Sequence, residues 1–166
     1  MSEPETLMLG QNGWVPNNSA LPVLVYRGVV PSGDLDAVEA LLLRNDWRPD
    51  WRDGVYSYHH YHSTAHEALA CTSGVADLML GGEGGRQVQI EAGDLLVLPA
   101  GTGHCRIRAS DDFLLVGAYP QGQDWDVCRT AADRATLARI AAVLLPKGDP
   151  IDGPDGALTR LWSKEA

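Results

Sequence analysis

Apolar and polar positions change rhythm along this chain. Residues 21–30, Leu-Pro-Val-Leu-Val-Tyr-Arg-Gly-Val-Val, are an apolar, β-branched run that predicts a strand, with Pro22 placing it at an edge or a strand start. After Pro31-Ser32-Gly33, the residues Leu35, Val38, Leu41 and Leu42 recur at helical spacing. They predict an amphipathic helix over about 34–45, with Ser32 as a candidate cap. From Trp51 to Tyr119 the texture shifts to short β-like runs at 54–62, 66–72, 75–80, 86–90, 95–98, 104–109 and 113–119, separated by glycine-bearing turns. Short strands at such spacing predict an all-β sandwich or barrel. A second helix is predicted over about 131–144: Thr130 can cap it, with Asp133 three positions on. Its apolar stripe is Leu137, Ile140, Ala141 and Leu144, and Pro146 stops it. The tail is a turn-rich strap whose Leu158, Leu161 and Trp162 are placed to dock on the rest.

A length of 166 residues with 45% hydrophobic content predicts one globular domain. Its parts are a core barrel over about 51–120, a strand and helix arm over 19–46, and a helix and strap over 130–166. The formal net charge of −9 repels phosphate backbones, and no Lys/Arg cluster offsets it, so nucleic acid and anionic membrane surfaces are excluded as partners. No apolar stretch is long enough for a membrane span, and Met1-Ser-Glu-Pro-Glu5 does not read as a signal peptide. Cys71, Cys105 and Cys128 are odd in number and unpaired in spacing, which fits a reducing compartment and predicts a cytoplasmic protein. The 21–30 strand, read as an exposed edge, predicts a homodimer.

Candidate chemistry lies with the histidines, all five of which fall in two patches: His59, His60, His62 and His66, then His104. On a strand, His60 and His62 would share one face, the start of a metal cage. The spacing Gly54-x5-His60-x-His62-x4-Glu67-x6-Gly74 resembles the first motif of the cupin superfamily at every specified position. The stretch Gly93-x5-Pro99-x-Gly101-x2-His104 resembles the second, with Arg108 standing where its terminal Asn usually falls. The likeness covers about residues 54–108, and the flanking sequence is similar to small bacterial cupins without an assigned activity.

This resemblance implies a jelly-roll barrel and one divalent metal held by His60, His62, Glu67 and His104. Such a donor set suits Fe, Mn, Ni, Co or Zn. Six-coordinate geometry would leave two open positions, whereas tetrahedral zinc would close the shell and make the site structural. Strand alternation places Tyr56 and Tyr58 beside the ligand pair, and carries Arg106 and Arg108 inward after His104. An arginine there needs an internal carboxylate or a small anionic ligand. Cys71, four residues beyond Glu67, shares its face if that strand runs regularly. His59 is expected on the opposite side of its strand, and His66 becomes a ligand if the turn slips by one residue. The leading expectation is a non-haem iron or manganese oxygenase. A metal-dependent isomerase or decarboxylase, and a sensing module that binds without turnover, stand beside it.

Overall fold

The apolar runs pair into two antiparallel sheets. A computed structural model describes residues 2–163. The strands are β1 (Glu5–Leu7), β2 (Val23–Tyr26), β3 (Trp47–Asp53), β4 (Glu67–Ser73), β5 (Val75–Leu80), β6 (Arg86–Glu91), β7 (Leu95–Leu98), β8 (His104–Ala109) and β9 (Leu114–Pro120). The helices are α1 (Leu35–Arg44), α2 (Arg134–Ala142) and α3 (Ala157–Leu161). One sheet has six strands in the order β1-β2-β7-β4-β9-β3; the other has three, β6-β5-β8. The architecture is the all-β jelly roll with small flanking helices that the sequence pattern and motifs imply.

The large sheet is buried on both faces, which is why β2 and β7 read as unbroken apolar runs. Its inner face packs Val23, Val25, Leu69, Leu96 and Leu98 against Leu78, Leu80 and Ile90 of the small sheet. Its outer face packs Leu24, Tyr26, Ala70, Val97 and Val116 against Val38 and Leu42 of α1 and against Leu158 and Trp162 of the tail. The tail docks as its apolar residues predict. Trp162 Nε1 donates to the Pro22 carbonyl, and buried Asp149 accepts from the Leu158 amide and the Tyr26 hydroxyl.

Four local expectations are corrected. Residues 54–62 do not form a strand; they are an irregular segment with single bridges, His60 to His104 and Tyr61 to Cys128. The strand before them is β3, whose polar sequence and Pro49 hide it, and it pairs with β9 across a register shift between Pro49 and Trp51. The caps are Asp34 for α1, in place of Ser32, and Asp133 for α2, in place of Thr130; each carboxylate accepts an amide three residues on. β2 is not an exposed edge, because β1 and β7 flank it, so the edge argument for a homodimer lapses.

Candidate metal centre

The irregular segment after β3 enters the barrel mouth and is fastened there from both sides. The His60 amide donates to the His104 carbonyl at 3.2 Å and the His104 amide returns the bond at 2.9 Å, which brings the two histidine patches side by side. On the other flank, the Tyr61 amide donates to the Cys128 carbonyl at 3.0 Å and the Cys128 amide donates back at 2.8 Å. Glu67 then opens β4, with its side chain on the inner face beside Leu69.

These constraints bring His60, His62 and His104 together, each buried, with one ring nitrogen apiece inside a 4.8 Å group able to hold a metal ion. Backbone carbonyls fix which nitrogen faces inward. His60 Nδ1 meets Tyr58 O at 3.1 Å, His104 Nδ1 meets Thr102 O at 3.0 Å, and His62 Nδ1 meets Asp126 O. A carbonyl only accepts, so each Nδ1 carries a proton and each Nε2 faces the centre, where a neutral ring presents its lone pair. Glu67 lies 2% exposed, with Oε2 at 3.2 Å from His62 Nε2 and Oε1 at 3.3 Å from His104 Nε2.

The electrostatics follow from that crowding. Burial and the neighbouring His104 push His60 down to about 3, so its ring is neutral near pH 7. Burial alone would neutralise His62 and Glu67, but their mutual attraction wins. His62 is raised, and Glu67 is held well below the usual carboxylate range by His62 and His104. Tyr119 donates its hydroxyl to Glu67 Oε2 at 2.5 Å and accepts from Trp51 Nε1 at 2.7 Å.

Above the histidines opens a cavity of about 510 Å3, of ordinary size for a small ligand. Tyr56, Tyr58 and Arg106 line it, together with Trp51, Tyr119 and Trp125, which the sequence reading did not single out. Cys71 and Arg108 do not. Cys71 shares the face of Glu67 but lies further along β4 in the apolar core, where burial pushes its thiol up to about 12. Arg108 is turned away by a register shift between Asp77 and Leu78: Leu78 faces Arg106 but Asp77 faces Arg108, so Ile107 is bulged out and the alternation resets. The Arg108 guanidinium accordingly sits 71% exposed on the outer surface, paired with Asp77.

His66 also lies outside the centre, packing 4.9 Å from Trp162 while its Nδ1 accepts the Ala100 amide. His59 is half-buried and absent from the cavity lining. The one readable sign of the Trp51–Tyr119 pair is Gly117, a glycine inside an apolar strand. A Cβ there would stand 2.1 Å from the Trp51 ring.

The family pattern described as the cupin domain matches residues 52–116. Over 164 residues, 98% of each chain, the sequence is 34% identical to the uncharacterised protein YjlB of Bacillus subtilis strain 168. The chain belongs to the cupin family. Among solved structures, this cupin is similar to acireductone dioxygenase from Bacillus anthracis, which holds cadmium in its active centre. The identity is 20%, over 65% of this chain and 54% of that one, with a TM-score of 0.36. It is also similar to HEPD of Streptomyces albus, solved with 2-hydroxyethylphosphonate and Fe(II), at 16% identity over 87% of this chain and 24% of that one, with a TM-score of 0.30. The cupin thus spans about half of the first and a quarter of the second. Among its described residues, no helix is long and apolar enough to cross a membrane.

Proposed function

We propose that this cupin is a metal-dependent enzyme that holds one divalent transition metal on His60, His62, Glu67 and His104 and acts on a small anionic molecule, as an oxygenase using iron or manganese. One observation carries the reading. With Nδ1 of His62 and His104 committed to carbonyls, both Nε2 lone pairs point at carboxylate oxygens of Glu67, 3.2 and 3.3 Å away. Lone pairs facing each other repel unless a proton or a cation lies between them. The separations suit neighbouring donors on one ion with bonds of about 2.0–2.2 Å.

The donor set of three imidazoles and one carboxylate fits Fe(II), Mn(II), Co, Ni or Zn. When bound, such an ion supplies Lewis acidity and, if iron or manganese, redox capacity toward dioxygen. The chain's own residues do the rest. The Tyr58, Thr102 and Asp126 carbonyls hold the imidazole tautomers, and Tyr119 fixes the Glu67 carboxylate. Val55 and Leu69 give the cavity an apolar lining, and Arg106 offers a cation to an anionic ligand.

Elemental analysis of protein purified without chelator tests the ligand assignment. About one ion per chain is expected in the wild type, with loss in His60→Ala and His104→Ala. Unchanged metal content in those variants refutes it. Turnover of a substrate under strict anaerobiosis would remove the oxygenase and leave a metal-dependent isomerase or lyase.

A further inference from the structure

We infer that the cavity selects a planar aromatic carboxylate, its ring held between two aromatic walls and its carboxylate on Arg106; this deepens the reading above by naming the substrate class of the same site.

The walls come from distant parts of the chain and adjoin different histidines of the centre. Tyr56 and Tyr58 stack on each other, centroids 4.8 Å apart and planes within 11°. Both meet His60 edge-on, at 5.1 and 5.7 Å. Trp125 stacks on Tyr119 at 5.8 Å and 13°, and stands edge-on to His62 at 5.6 Å. One wall therefore adjoins His60 and the other adjoins His62. Flat ring faces and edges are the complement of another flat ring, and about 510 Å3 admits a single ring with short substituents.

Charge then chooses the sign of the guest. The lining contains acidic Asp50, Asp53 and Glu67, and one cation, Arg106. The acids are engaged within the protein. Asp50 accepts from Trp125 Nε1 at 2.7 Å and pairs with Arg48 at 3.0 Å. Asp53 accepts the Gly54 amide at 2.7 Å, and Glu67 faces the imidazoles. The Arg106 guanidinium has no hydrogen-bond or ion-pair partner among the described residues, although it follows His104 on the same face of β8. Its fork matches a carboxylate in two parallel hydrogen bonds. An aromatic cage with acidic neighbours also suggests a quaternary ammonium guest. Here, however, the Arg129 guanidinium carbon already lies 3.7 Å over the Tyr58 ring, so a cation of the protein occupies that ring and repels a second one.

Isothermal titration of the full-length wild type and of Arg106→Gln decides it. The probes are benzoate, cyclohexanecarboxylate (same charge, not planar) and benzyltrimethylammonium (same ring, opposite charge), and metal content is measured on every sample. Benzoate is expected to saturate one site, with cyclohexanecarboxylate about five- to tenfold weaker and the ammonium ion not binding. Arg106→Gln should weaken benzoate about tenfold or more at unchanged metal content and melting temperature. Absence of benzoate binding, equal affinity for the saturated acid, indifference to Arg106→Gln, or preference for the ammonium ion overturns the inference. Arginine-dependent benzoate binding to samples without metal would sink the metal reading and leave this one standing. Metal without arginine-dependent binding would do the reverse.

Discussion

Tyr119 shows how much of the centre depends on one hydroxyl. It donates to Glu67 and accepts from Trp51, so the carboxylate that faces two imidazoles is aimed by a side chain outside the ligand set. Tyr119→Phe should weaken metal binding about 10- to 100-fold while leaving the fold intact, measured by competition with a chromophoric chelator. His60 gives a second test at this scale. Its folded value of about 3 lies below the unfolded value near 6.5. The unfolded chain thus binds the extra proton, and the contribution of His60 to stability is full above pH 6.5 and is lost as pH falls toward 3. In metal-free protein, urea unfolding should show a steeper fall of stability across that window in the wild type than in His60→Gln. Matching slopes would refute the depressed value. The proposed ligands could be picked out because the motif spacing names them, yet the strand geometry used to put His60 and His62 on one face is absent. Bridges to His104 and Cys128 do that work, and neither is written in local sequence.

At the scale of elements, the ligand loop is zipped to residues 124–130. Beyond the Tyr61–Cys128 bridge, Asp126 accepts from both the amide and the hydroxyl of Ser63, Thr64 donates to the Asp124 carbonyl at 2.6 Å, and Tyr61 donates to the Thr130 carbonyl at 2.7 Å. Asp126→Ala removes the side-chain half of the clasp and should loosen the carbonyl that orients His62. The expected result is a loss of about 1–3 kcal/mol in stability together with weaker metal binding, read by denaturant titration and chelator competition. Gly117→Ala tests the opposite flank. The added methyl meets the Trp51 ring, a displacement that should cost about 1–3 kcal/mol and detach Trp51 from Tyr119, visible as a change in tryptophan emission. Strands β4 to β9 were readable because glycine turns bracket apolar runs. β3 was not, since Trp47-Arg-Pro-Asp-Trp-Arg-Asp53 carries a proline, four charges and a bulge. Arg108 was misplaced for the same kind of reason: a bulge reverses the parity of every later residue, and nothing in Arg106-Ile-Arg108 announces one.

In the whole molecule, the central strands β2, β7, β4 and β9 of the large sheet are almost wholly buried, and the segment after Pro146 helps to cover them. Trp47 Nε1 donates to the Gly148 carbonyl at 3.0 Å, Asp149 gathers the amides of Ile151, Asp152 and Leu158, and Trp162 reaches back to Pro22. Because Asp149 is fully buried beside Tyr26, a residue of the N-terminal third is completed by one near the other end of the chain. During synthesis Tyr26 therefore waits without its buried Asp149 partner, and the outer face without Leu158 and Trp162, until residue 162 has left the ribosome. A nascent chain stalled just short of that point is the form in which this protein would be most exposed to chaperones and proteases.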